Sequence, residues 1–337
     1  MDRRREQAGE LMARFAERTG LTSPRPPRRY LWTDAFAVCN FVALGEDELA
    51  LRLVERVHAI LGRHRGDDGR EGWLSGESEQ AGEAHPTRGG LRIGKPLPER
   101  RADEPAHSQL EWERDGQYFH YLTKWMHALA VVARASGQDA FRAWARELAF
   151  VAHRAFVYGG GTGARRMYWK MSIDLSRPQV RSMGQHDPLD GLLTCSELGM
   201  LGEAADFASM VDEHELATAD PLGIGGLLVD AYRAEQLGIT SLPGRLVAAA
   251  AAGLRAWLDD HEGGGRLAFR ELGLAIGLAA AERLTTAALL GHATLRAELE
   301  AEWLRPERRA DPRYREHEDI NDVMLATSLV PDGFLQT

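Results

Sequence analysis

Pro221-Leu222-Gly223-Ile224-Gly225-Gly226-Leu227-Leu228-Val229-Asp230-Ala231-Tyr232-Arg233-Ala234-Glu235-Gln236-Leu237 has helical character and carries three glycines. A glycine inside a helix costs roughly 1 kcal/mol against alanine. Leu267–Arg283 repeats the pattern, with Gly273 and Gly277 inside another apolar run. Glycines placed this way suggest helices whose backbones pack closely. The neighbouring segments 243–260 and 286–304 instead set Arg, Glu and Asp along one face, as solvent-facing helices do. Crowded helices alternating with amphipathic ones are what concentric inner and outer rings require.

Working outward, helical periodicity covers about 3–19, 33–44, 46–64, 116–136, 138–157, 188–201, 203–216, 221–237, 243–260, 267–283, 286–304 and 318–329. Many links are short, such as Gly45, Gly137-Gln138 and Gly238–Pro243. Short links force antiparallel neighbours, so the segments read as successive helical hairpins. Twelve helices make six hairpins if the last packs beside the first. No sequence repeat recurs at a fixed period, which speaks against an open solenoid. The expectation is a single all-helical domain over 1–337, closed into a ring.

Composition narrows the function classes. Of the 337 residues, 44% are hydrophobic and 27% charged, as in an ordinary globular protein. A net charge of −9 argues against a general nucleic-acid binder. Cys39 and Cys195 sit among apolar residues and read as buried thiols, not as a disulfide framework or a zinc site. No signal-peptide run follows Arg3–Arg5, and the longest apolar stretch, Leu272–Ala281, is too short to span a bilayer. A cytoplasmic protein without membrane or nucleic-acid partners is expected. The histidines show no metal spacing, so no metal and no cofactor are expected.

Two regions break the helical pattern. Residues 65–115 form a long insertion rich in Gly, Glu, Arg and Pro, and a loop of that size is functional or partly disordered. Residues 158–187 begin with Gly159-Gly160-Gly161-Thr162-Gly163 and continue into Met167–Ser176, where apolar and polar residues mostly alternate. A strand or hairpin near 158–177 would place Tyr168, Lys170, Ser172, Asp174 and Ser176 on one face. Met167, Trp169, Met171, Ile173 and Leu175 would anchor the other.

Downstream, Asp187 reads as a helix N-cap, with Pro188 at the first helical position and Asp190 in the first turn. Capping explains the aspartates as well as catalysis does, but it explains neither Gln185 nor His186. Trp32-Thr33-Asp34 opens the helix holding Asn40. Asp115-Gly116-Gln117-Tyr118 opens the one holding His120, Tyr121, Lys124 and Trp125. In a ring of hairpins the inner helices run the same way, so their first turns gather on one rim. Asp34, Asp115 and Asp187 would then converge with Trp32, His186 and the 168–176 strand.

Only three lysines occur among 41 basic side chains, Lys95, Lys124 and Lys170. Where arginine serves nearly everywhere, a retained lysine can mark a tight site. Arg88–Pro96 is neither a phosphate-binding P-loop nor a dinucleotide fingerprint, and reads as a turn presenting Arg92 and Lys95. The acid-rich run Arg315–Asp322 reads as helix capping, with a second carboxylate in reserve.

The aromatic–acid starts at Trp32/Asp34, Asp115/Tyr118 and His186/Asp187, with the Tyr168–Ser176 strand, make the chain resemble the six-hairpin glycosidase-like superfamily. The resemblance covers most of the chain without a family-defining motif. It implies an all-α (α/α)6 toroid. Members include glycoside hydrolases, unsaturated glucuronyl hydrolases and sugar 2-epimerases. On the residues, the expectation is a carbohydrate-directed rim cleft in which Asp187 and Asp115 or Asp174 divide into general acid and base. His186 and Lys170 would tune or position them. Trp32, Asp34, Arg92, Lys95, Gln117, Tyr118, Tyr121, Lys124, Tyr168, Lys170 and Gln185 would hold a small-molecule or oligosaccharide substrate, anionic or neutral. Two readings compete with hydrolysis. One is a sugar epimerase or isomerase using His186 and His120; the other is a non-catalytic helical ligand-binding protein.

Overall fold

A computed structural model describes residues 3–105, 107–161, 163–212, 215–260, 266–284, 292 and 294–337. Helices α1 (Arg3–Arg18), α2 (Leu31–Leu44), α3 (Asp47–Leu61) and two short turns, α4 (Glu79–Ala84) and α5 (Ser108–Glu113), lead to strand β1 (Gln117–Tyr118). Helices α6 (Phe119–Ser136) and α7 (Asp139–Phe156) follow, then strands β2 (Val157–Tyr158), β3 (Arg166–Met167), β4 (Lys170–Met171) and β5 (Pro178–Val180). Next come α8 (Asp187–Glu197), α9 (Leu201–Ala208), α10 (Pro221–Gln236), α11 (Pro243–Asp260) and α12 (Ala268–Leu284). The chain ends with α13 (Leu295–Leu304), α14 (Pro306–Ala310), α15 (Pro312–Glu316), α16 (Glu318–Leu329) and α17 (Asp332–Leu335). The expected helix at 286–304 lies partly outside the described residues, as do parts of 203–216 and of the 159–163 glycine run.

Two compact units emerge. One comprises Met1–Arg25, Cys39–Glu46 and Asp212–Thr337; the other comprises Pro26–Val38 and Asp47–Val211. In the first, α10 and α12 approach until backbone meets backbone. A Cβ on Gly225 would fall 2.1 Å from the Gly273 carbonyl oxygen, and one on Gly277 would fall 2.4 Å from the Gly225 Cα. The expected close packing is therefore real at three of the five glycines. Gly226 faces open space. Within α12 every residue from Glu271 to Ala281 is buried, and α16 is buried from Asn321 to Leu329. Asp322, wholly buried, takes hydrogen bonds from Arg18 (2.9 Å), Arg309 (3.0 Å) and Tyr314 (2.9 Å). The acid-rich run thus secures its own helix.

The second unit pairs a buried helix with an amphipathic one, α6 with α7. Leu122, Trp125, Met126 and Leu129 of α6 are almost wholly enclosed. Phe141, Ala145, Leu148, Ala149, Ala152 and Phe156 recur at helical spacing along the covered stripe of α7. The insertion 65–115 is tied down by ion pairs and by isolated bridges, Arg63 with Trp73 and Leu97 with Arg114.

The continuous strand expected over 167–176 does not form. Instead β2 pairs with β3, and β1, β4 and β5 make a small sheet with Tyr118 opposite Lys170. The chain turns back after Met171. Ser172, Asp174 and Ser176 close that turn, with Leu175 at φ 59°, and the Asp174 Oδ1 accepts from both serine hydroxyls at 2.7 Å. Met167, Met171 and Ile173 are buried as the alternation predicts, but two of their neighbours depart from it. Lys170 is fully buried, whereas Trp169, expected to anchor, is partly exposed among other rings.

Candidate functional site

The second unit brings the first turns of α2, α6 and α8 together through their side chains. Tyr30, just before α2, hydrogen-bonds Tyr121 of α6, hydroxyl to hydroxyl at 2.6 Å. Burial pushes both phenols above their ordinary pKa, so the pair stays neutral and keeps a hydroxyl donor in the wall. Trp32 packs beside Tyr121 with ring centres 6.5 Å apart. Tyr118 stacks on His120 (5.4 Å, 22°) and lies against Trp169 (4.9 Å), which runs nearly parallel to His120 (6.3 Å, 16°). Tyr118 itself is buried and backs the more exposed rings. Trp112 stands edge-on to Trp169 at 4.7 Å.

Beside this wall lies Asp187, the first residue of α8. Its Oδ1 is 3.5 Å from the Nδ1 of His120. Its buried Oδ2, like that Nδ1, has no hydrogen-bond partner among the described residues. Asp187 is therefore not consumed as a cap; His186 occupies the cap position, and its side chain makes no capping bond. Gly184 packs directly on the carboxylate, since a Cβ there would sit 2.6 Å from Oδ2. Three residues on, Asp190 pairs with Lys124 of α6 at 2.5 Å. His186 is half-buried and Gln185 exposed, just ahead of the same helix.

Several expected site residues do structural work instead. Asp115 is fully buried and saturated: its Oδ1 accepts from the amides of Gly94 (2.9 Å) and Gly116 (3.0 Å), its Oδ2 from Arg65 (3.1 Å) and Arg92 (3.0 Å). No oxygen remains for proton transfer. Arg92 spends its other nitrogens on the carbonyls of Arg63 and Ile60, so it presents nothing to a ligand. Gln117 binds the Leu91 amide and the carbonyls of Gly89 and Ile173, locking the 88–95 turn to the sheet. Asp34 accepts from the Tyr30 amide and pairs with Arg29. Asp174 is held near pKa 2 although burial opposes this, by the hydroxyls of Ser172 and Ser176, the Ser176 amide and Arg70. That excludes it as an acid at neutral pH. Tyr168 stacks on Tyr158 in the β2–β3 hairpin, apart from the Tyr118 cluster.

Two of the three lysines meet at Tyr118, and the third pairs with Asp190. Lys95 and Lys170 lie 5.8 and 5.5 Å from the Tyr118 ring centre, and Lys124 is on the helix that Tyr118 opens. Two of them serve the backbone. Lys170 donates to the carbonyls of Glu111 (2.6 Å) and Arg114 (2.8 Å), and Lys95 to that of Trp112. An anionic ligand therefore has little to draw on among these cations. Sequence reasoning missed Tyr30, Trp112 and Trp169 as wall residues. The alternation rule assigned Trp169 to an anchoring face, and nothing local distinguished Trp112. Among the described residues no cluster of His, Cys, Asp and Glu suits a metal ion, and no helix is long and apolar enough to cross a membrane.

No family model matches the sequence, nor does any curated relative. A solved structure does: an alpha-mannanase of glycoside hydrolase family 76 from Bacteroides thetaiotaomicron superposes with a TM-score of 0.61. The match covers 98% of this chain and 96% of that one, at 10% sequence identity. The fold is accordingly all-α, an (α/α)6 toroid like that structure.

Proposed function

We propose that the chain is a carbohydrate-active enzyme of the glycoside-hydrolase type, working at the aromatic wall over the first turns of α6 and α8. One observation carries this reading: the Asp187 Oδ2 and the His120 Nδ1 are buried, have no hydrogen-bond partner among the described residues and adjoin stacked rings. A buried polar atom without a partner costs free energy, so a native site that keeps two of them side by side has a use for them. Ring faces such as Trp169 and Tyr121 stack on the C–H faces of sugars, while Tyr30, Lys124 and Asp190 offer hydroxyl-binding groups around them. Asp187 is the proton-transfer group, with the His120 imidazole 3.5 Å from it. The second carboxylate that hydrolysis needs is Asp190, which Lys124 holds in place. The similarity to an alpha-mannanase supports a saccharide substrate at the level of fold alone.

The test is Asp187→Asn, assayed for release of reducing sugar from linear and branched glycans. Nearly complete loss of turnover with an unchanged melting temperature is expected. Undiminished turnover would remove Asp187 from the chemistry.

Epimerisation is the second reading, favoured by the same carboxylate–imidazole contact, since an oriented histidine can move a proton beside a carbonyl. Deuterium exchange from solvent into the C–H beside the carbonyl of a reducing sugar, with every glycosidic bond intact, would establish it over hydrolysis.

A further inference from the structure

We infer that the site takes a chain of at least two sugar residues, with Trp112 as its outer platform; this rests on the carbohydrate reading above. Trp112 is 53% exposed, which leaves much of a large indole ring in water. It is also continuous with the proposed site. Its ring meets Trp169, and Trp169 lies parallel to His120, which contacts Asp187. The rings thus run in sequence from the solvent to the carboxylate.

The backbone beneath Trp112 is fixed with unusual care. A helix of six residues cannot hold itself together. In α5 and at its C-cap the carbonyls of Glu111, Trp112 and Arg114 are taken by Lys170 and Lys95, and the Glu111 carboxylate by Arg100. Two of the chain's three lysines are used to immobilise this one turn. Rigid aromatic surface binds a flexible ligand at the smallest ordering cost, because the protein side is already ordered. A single sugar over Trp169 and His120 would leave Trp112 bare; a second residue in the chain would cover it. A protein partner would also use an exposed indole, but the direct run of rings to Asp187 favours the saccharide.

Isothermal titration of the full-length protein with gluco-, manno-, galacto- and xylo-oligosaccharides of increasing length, beginning with the monosaccharides, tests this. In the series that binds, affinity should climb with chain length. Trp112→Ala should weaken the longest member about tenfold, the worth of one aromatic contact, and the monosaccharide far less. Trp112→Phe should recover most of the loss. In the wild type, the longest ligand should shield tryptophan fluorescence from acrylamide, and the shielding should shrink in Trp112→Ala. Affinity independent of length, or an unchanged Trp112→Ala profile, would overturn the outer platform while leaving a carbohydrate site standing. Failure of every saccharide to bind the wild type would overturn the carbohydrate reading itself, and this inference with it.

Discussion

The Lys170 ammonium lies 2.6 Å from the carbonyl oxygen of Glu111 and has no exposure to solvent. The contact joins the small β-sheet to the short helix that carries Trp112, and it makes a lysine part of the scaffold. Burial outweighs the attraction of the Glu111 carboxylate and holds this lysine near pKa 8 instead of 10.5, with Lys95 adding repulsion.

The sign of the resulting pH dependence follows from which state binds the proton more tightly. The unfolded chain does, because its lysine has the higher pKa. Between about pH 8 and 10.5 the unfolded state carries the extra proton, so raising the pH through that window stabilises the fold. Lys170→Met abolishes this. The stability of the wild type relative to the variant should therefore rise across the window, by up to about 1.4 kcal/mol per pH unit. Urea midpoints at several pH values measure it; a constant difference would mean that the amine is hydrated.

Asp115 is a second buried charge whose role is architectural. Replacing it by Asn leaves Arg65 and Arg92, each only 12% exposed at the side chain, without their common counter-charge. Breaking a buried ion pair from one side costs about 3–5 kcal/mol. The carbonyls that both guanidiniums also bind should keep Asp115→Asn near the lower end. A lowered urea midpoint at unchanged slope is the expected result. Lost turnover at full stability would instead return Asp115 to the catalytic machinery.

The glycines of α10 offer a paired test of helix packing. Gly225→Ala forces a methyl into the Gly273 carbonyl and should destabilise by about 1–3 kcal/mol, the usual range for overpacking. Gly226→Ala, one residue on, meets open space and should stabilise by up to about 1 kcal/mol through helix propensity. Opposite signs in thermal melts are expected. Two substitutions with the same sign would contradict the close approach of α10 and α12.

These same glycines show why the fold was legible in the sequence. Helix periodicity and the placement of Gly225, Gly273 and Gly277 are local consequences of a global architecture, so they can be read one segment at a time. Attention fell on Asp187 and the lysines because helix starts and unusual residue choices are also local signals, although Lys95 and Lys170 turn out to bind backbone carbonyls. Asp115, Gln117 and Arg92 misled for the opposite reason. Their partners come from Gly94, Leu91, Ile60 and Arg65, and no spacing rule reveals which polar side chain the fold will enclose. Trp169 is less buried and Lys170 more buried than alternation assumed; the strand it extended to Ser176 ends instead in a turn at Ser172–Ser176.

Gly184 gives the sharpest functional test, since its effect should fall on Asp187 and on little else. Its carbonyl receives the Asp187 amide at 3.4 Å, and the atoms closest to an added Cβ all belong to the Asp187 carboxyl group. Gly184→Ala must therefore rotate or displace that group. Because a carboxyl can turn about its own bonds, the cost in stability should stay below about 1 kcal/mol. Turnover is more demanding: a misplacement of about 1 Å at a reacting group can cost on the order of a hundredfold. The expected pattern is a large fall in the rate constant with a nearly unchanged melting temperature. Gly202→Ala serves as the control, because that glycine sits on exposed α9 with nothing near it and should leave turnover as it was. If Gly184→Ala keeps full turnover, the position of the Asp187 carboxylate does not govern the reaction, and His120 becomes the group to pursue.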